Sequence, residues 1–178
     1  VSDRRHPRWR ERLASVGKAQ SVLEVQIGDS MANPLAIGEI GEIQVRGRPV
    51  MPGYWNKPLA DEETLINGWL MTGDVGVMDE DGYITLKDRS KDLIISGGNN
   101  IYPREVEEVL LSHPDVMEIS VVGRAHPEWG EEVVAFVVLQ SDSAVSNEIL
   151  DSHCFNLMAR FKRPKEYIIL TELPKNNN

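Results

Sequence analysis

Between residues 47 and 82 the chain is cut so often by proline and glycine that short strands and turns are nearly all it can form. Pro49, Pro52-Gly53 and Pro58 each fix φ or withhold a backbone donor, which excludes a long helix there. Asp61–Ile66 has room for one or two helical turns, closed by Asn67-Gly68. Val75–Met78 and Tyr83–Leu86 flank Asp79-Glu80-Asp81-Gly82, and Asp-Gly between apolar runs predicts a hairpin. Upstream, Val22–Ile27 is β-rich and stops at Gly28-Asp29. Glu42–Arg46 alternates Ile43 and Val45 with polar neighbours, as a half-buried strand does.

After Lys91 helix and strand alternate. The apolar burst Leu93–Ile95 predicts a short strand before the glycine pair Gly97-Gly98. Pro103 suits a first helical position, and Val106, Val109 and Leu110 then share one face until His113-Pro114 stops the helix. Val116–Val122 and Val133–Leu139 read as strands. Ser146 suits the cap of a second helix carrying Leu150, Cys154, Leu157, Met158 and Phe161 on one stripe. Pro164 breaks that helix, and Tyr167–Leu170 gives a last strand. The expected fold class is α+β: a β-rich part over 1–89, then a small α+β domain over 90–178. The charged knot Asp88-Arg89-Ser90-Lys91-Asp92 lies at the join.

A chain of 178 residues, 41% hydrophobic and 26% charged, has room for a core. Its net charge of −9 opposes nucleic-acid binding, which needs a basic excess. Two basic patches break the trend: Arg4, Arg5, Arg8, Arg10 and Arg12, and Arg160, Lys162, Arg163 and Lys165. The second has the charge to hold a phosphorylated ligand; a solvated face is the alternative for both. The single cysteine, Cys154, excludes an intrachain disulfide, and its apolar neighbours suggest a core residue. The longest apolar run, Val133–Leu139, is far too short to span a membrane, and no signal peptide is visible, so a cytoplasmic location is expected. The chain lacks an initiator methionine and ends on Asn-Asn-Asn, as a piece of something longer would. Oligomeric state is not legible.

Four short motifs stand in order: Gly41-Glu42-Ile43-x-Val45-x-Gly47, Pro52-Gly53-Tyr54-Trp55, Trp69-Leu70-Met71-Thr72-Gly73-Asp74 and Asp88-Arg89-Ser90-Lys91-Asp92. The series resembles the adenylate-forming enzymes over roughly residues 13 to 175. Ser96-Gly97-Gly98-Asn99-Asn100-Ile101-Tyr102-Pro103 looks most like an acyl-CoA ligase. The resemblance implies a two-step reaction. A carboxylate attacks the α-phosphate of ATP to give acyl-AMP and pyrophosphate, and the thiol of CoA then displaces AMP to give the thioester. On this resemblance residues 1–89 end the large AMP-binding domain, and 90–178 are most of the small lid domain.

The resemblance also implies roles. Asp74, on a tight turn after a glycine, accepts from the ribose hydroxyls; a turn or cap is what Thr72-Gly73-Asp74 would be on its own. Arg89 contacts the ribose and phosphate region, for which a planar, permanently charged fork is suited; an ion pair with Asp88 or Asp92 is the alternative. Lys91 falls at the hinge about which the small domain alternates. Gly97 and Gly98 line the channel for the pantetheine arm, or serve only a turn. Trp129, Phe161, Arg163 and Lys165 grip the nucleotide of CoA; their bland counterparts are a capping aromatic, a core residue and helix-end cations.

The resemblance leaves the catalytic lysine expected beyond Asn178 and the Mg2+-linked glutamate upstream of residue 1, so the piece alone is expected to be inactive. Lys175 precedes the asparagines and is assigned no catalysis. The partners implied are a carboxylic acid, ATP and CoA. Two readings compete: a non-catalytic module binding nucleotide, CoA or a protein, and an adenylation domain loading a carrier protein. Trp129 and the basic stretch after Phe161 weaken the last.

Overall fold

The computed structural model describes residues 7–141 and 143–174. Arg4, Arg5 and Lys175 lie outside them. The chain divides into two compact units, one ending at Lys91 and one beginning at Asp92.

The first unit opens with a short helix α1 (Trp9–Leu13), then β1 (Leu23–Gly28) and β2 (Ile40–Gly47), a helix α2 (Pro58–Thr64), and three strands, β3 (Leu65–Ile66), β4 (Trp69–Met78) and β5 (Ile84–Arg89). All pairings in its five-stranded sheet are antiparallel, with β1 beside β2, β2 beside β4, and β4 paired to both β3 and β5. Ile27, Ile43 and Ile84 form its buried cluster, with Val25, Leu35, Met78 and Leu86 packed around it. Gln44 is fully buried, and its amide is satisfied: Oε1 accepts from Gln26 at 2.7 Å and Nε2 donates to the Asp29 carbonyl at 2.7 Å.

Two expectations need correction here. The helix expected over Asp61–Ile66 starts earlier, at Pro58, whose missing donor costs nothing at a first helical position. Leu65–Ile66 is a strand, and Asn67-Gly68 is a two-residue hairpin with φ of 52° and 81°. Positive φ at both positions is the conformation that matches the twist of the flanking strands. Two residues of the first basic patch serve the other hairpin. Arg12 donates to Asp81 at 2.5 Å with its guanidinium over the Tyr83 ring, and Arg8 stands 3.5 Å from Asp79.

The second unit runs β6 (Ile94–Ser96), β7 (Asn99–Ile101), α3 (Pro103–Leu111), β8 (Val116–His126), β9 (Gly130–Leu139), α4 (Asn147–Leu157) and β10 (Glu166–Leu170). β9 is central: antiparallel to β8 along its length, bridged to β6 at Gly130, and parallel to β10. The parallel pair needs a crossover, which α4 supplies. Val133, Ala135 and Val137 project from β9 into a core with Ile94, Ile101, Val106, Leu110, Leu150, Cys154 and Tyr167. Val134 and Val138, on the opposite face of the strand, are buried too, which explains why Val133–Leu139 reads as an unbroken apolar run.

The α4 stripe is shorter than its spacing suggests. Leu150 and Cys154 are buried, but Leu157 is exposed and the helix ends there. Phe161 belongs to a separate 3-10 turn, Arg160–Lys162, and is also exposed. Burial pushes the Cys154 thiol up from its ordinary pKa, in keeping with a core residue. No helix among the described residues is long and apolar enough to cross a membrane.

Candidate functional site

In the first unit Asp74 sits in the middle of β4, not on a tight turn. The strand bulges there: Glu42 pairs with Val75 and Gln44 with Met71, so Thr72, Gly73 and Asp74 stand opposite Ile43 alone. Gly73, at φ 74°, takes the left-handed conformation that the bulge requires. Three side chains brace it. The Gly73 N–H donates to Glu42 Oε1 at 2.8 Å. Ser90 Oγ donates to the Gly73 carbonyl at 3.2 Å. Thr72 Oγ1 donates to the Ile43 carbonyl at 2.7 Å and accepts from the Asp74 N–H at 3.1 Å.

β5 brings Arg89 directly across from Asp74, and the two form an ion pair with Nε 3.0 Å from Asp74 Oδ1. Of the alternatives raised for Arg89, Asp88 is engaged through the backbone, its Oδ1 accepting from the Arg89 N–H at 2.8 Å. The Arg89 side chain is 57% exposed and that of Asp74 33% exposed. Their remaining polar atoms make no hydrogen bond among the described residues, so a fork and a carboxylate oxygen stay free for a ligand. Lys91 is exposed, in a 3-10 turn over Ser90–Asp92 at the end of the first unit.

In the second unit Gly97 and Gly98 form the two-residue turn between β6 and β7, at φ of 55° and 78°. The hairpin alone therefore calls for glycine at both places. A Cβ built on either would meet nothing within 4 Å, so the turn is open as well as bare. The Gly97 N–H donates to the Trp129 carbonyl at 2.9 Å, tying this turn to the β8–β9 turn.

That tie creates an open recess of about 170 Å³ lined by Ser96, Gly97, Asn99, Trp129, Phe161 and Lys165. Four residues singled out from sequence, Gly97, Trp129, Phe161 and Lys165, thus converge. The Lys165 ammonium stands 5.0 Å from the centroid of the Trp129 indole, and His126 stacks on that indole with ring centroids 4.4 Å apart and planes 14° from parallel. Ser96 and Asn99 also line the recess; the sequence marked them only as members of the motif from Ser96 to Pro103, with no role of their own.

Arg163 does not line it. Its NH1 donates to both oxygens of Asp151, at 3.1 and 3.0 Å, and its guanidinium packs 5.1 Å from the Phe155 ring centroid. Lys162 is held in the same way by both oxygens of Glu105 at 2.7 Å. The basic stretch therefore splits by side chain: Arg163 and Lys162 join elements together, while Lys165 faces the recess. Among the described residues no group of three or more His, Cys, Asp or Glu side chains is arranged to hold a metal ion.

Residues 105–178 match the family model of the AMP-binding enzyme C-terminal domain. The chain is 40% identical over 165 residues to a sulfoacetate–CoA ligase of Cupriavidus necator, covering 92% of this chain and 32% of that protein. It is 43% identical over 165 residues to a 2-succinylbenzoate–CoA ligase of Geobacillus kaustophilus, covering 93% and 34%. Among solved structures, the o-succinylbenzoate CoA synthetase of Bacillus subtilis in complex with its acyl-adenylate intermediate superposes with a TM-score of 0.85. The two are 42% identical, over 95% of this chain and 34% of that one. The chain thus spans about a third of the length of the relatives it matches.

Proposed function

The chain belongs to the adenylate-forming, AMP-binding enzymes, and from that premise we propose that its protein is an ATP-dependent acid–thiol ligase. It would activate a carboxylic acid as acyl-AMP and pass the acyl group to CoA. The observation that carries this reading is the Asp74–Arg89 pair, set face to face across two strands on a bulge braced by Glu42, Thr72 and Ser90. A carboxylate with a free oxygen suits two vicinal hydroxyls, and a fork beside it suits phosphate oxygens. The bulge re-aims both without breaking the sheet, so the ribose site needs little reorganisation when nucleotide arrives.

The recess in the second unit fits the second substrate. An aromatic face, a bare glycine turn and one ammonium match a nucleotide on a thin thiol arm. We assign Trp129, Phe161 and Lys165 to the nucleotide portion of CoA, and Gly97 and Gly98 to the arm. Arg163 has a structural alternative in Asp151 and is left out of the grip. Lys91 is proposed as the hinge: an exposed residue at the end of a unit can absorb a backbone rotation while staying solvated.

The test uses the complete protein. Pyrophosphate exchange into ATP that depends on an added carboxylic acid, followed by CoA-dependent release of AMP, is the expected result. Exchange without any acid requirement, or none with any acid tried, overturns the ligase reading. Acyl transfer to a carrier protein with none to free CoA would keep the adenylation half and replace the thiol.

A further inference from the structure

The Trp129 wall of the recess is itself held in place by His126. Nδ1 of His126 accepts from the backbone N–H groups of Glu128 and of Trp129, each at 3.3 Å. A ring nitrogen that accepts from two N–H groups carries no proton, so the imidazole is neutral with its proton on Nε2. The same ring lies on the indole at a 4.4 Å centroid separation. One side chain thus fixes both the backbone that carries Trp129 and the plane of its ring. The Trp129 carbonyl, accepting from Gly97, secures the other side.

The backbone half of this device recurs in the chain with carboxylates. Asp29 Oδ1 accepts from the N–H groups of Met31 and Asn33, and Asp79 Oδ1 from those of Asp81 and Tyr83. A carboxylate at position 126 would cap the turn equally well, but would not lie flat on an indole. Histidine can do both, although His113 Nδ1 also accepts from the Asp115 N–H at 3.2 Å with no indole beneath it.

We infer that His126, as the neutral Nε2–H tautomer, is a positioning residue that presets the Trp129 indole for the thiol substrate. The inference rests on the reading of the recess as the CoA site. It also specifies how the recess can be used. With the imidazole on one face of the indole, a flat ligand ring has only the opposite face to stack on, and must share or displace the Lys165 ammonium that lies 5.0 Å from the ring centroid.

Two measurements test it. In the 178-residue chain, nitrogen-15 NMR of the imidazole should show His126 with an unprotonated Nδ1 and a protonated Nε2 at neutral pH. A proton on Nδ1 overturns the inference. In the complete ligase, H126A should raise KM for CoA about tenfold, the order expected from spoiling one aromatic stack, and leave acid-dependent pyrophosphate exchange unchanged. H126N restores a turn acceptor without the stack and should recover part of the loss. H126F restores the stack without the acceptor, and supplies a second folded variant should H126A be poorly behaved. An unchanged KM in all three variants sinks the inference if W129A still raises it. An unchanged KM in W129A removes the recess reading itself, and the inference with it. Equal losses in exchange and in CoA use would mark His126 as a general fold residue, against the inference.

Discussion

In the unit that begins at Asp92, twelve buried side chains from strands and both helices form one continuous cluster. The unit that ends at Lys91 gathers Ile27, Ile43 and Ile84 in a smaller cluster, with Trp69, Met71 and Val75 buried outside it; both units leave large apolar side chains exposed, Met31 and Trp55 in the first, Phe155 and Phe161 in the second. A sheet covered by two helices seals its face, whereas the first unit's sheet has only two short helices for company. The first unit's candidate site is written into its ladder, at a bulge. The second unit has a core that stands by itself, and its candidate site is made from the ends of hairpins. In the second unit a packed core and open turns lie side by side.

The sharpest way to break that contrast is to remove equal amounts of core from each unit. Leu110→Ala should destabilise the second unit by about 2–5 kcal/mol in denaturant unfolding, with a smaller loss for Ile43→Ala in the first. A larger loss at Ile43 would mean that the first unit is as well packed as the second. Asp74→Asn comes next. Removing one charge-assisted acceptor of about 1.5–3 kcal/mol should raise KM for ATP about 10- to 100-fold in the complete protein. Unchanged ATP kinetics would take Asp74 out of the nucleotide site.

Gly98 sharpens the contrast at the other site. Gly98→Ala and Gly98→Leu each force a side chain into left-handed backbone, at about 1–2 kcal/mol of stability by thermal unfolding. They share that cost because the space around the Cβ is empty. Only the leucine should slow thioester formation, and much more than adenylation; equal losses in both half-reactions would leave the glycines a turn and nothing else. The smallest effect belongs to Lys162→Ala. Its partly exposed pair with Glu105 should be worth no more than about 1 kcal/mol, and less at high salt. A larger loss would show that this pair helps to hold the second unit's shape.

Much of this was legible in the chain because local chemistry and fold agree. The strands around Ile43 and Val133, the hairpin at Asp79–Gly82, the helix after Pro103 and the order of the four motifs all speak through neighbours in sequence. What was not legible depends on partners far away. Nothing near Gly73 announces a bulge; it exists because Glu42 and Ile43 lie opposite, some thirty residues earlier. Leu65–Ile66 is a strand only because Trp69 and Leu70 fold back on it. Phe161 continues a helical spacing that the chain abandons at Leu157. Arg163 looked free in sequence, and Asp151, twelve residues before it, claims it in space. His126 reads as one more loop residue until its ring is seen lying on Trp129.

Cys154, sealed in the second core with its thiol pushed toward the protonated form, has a practical bearing. Disulfide reagents that count released or consumed CoA react with thiolates they can touch. This stretch adds no sulfhydryl background to such a titration while its fold stays shut. A slow rise in colour from the protein alone would time the opening of that core.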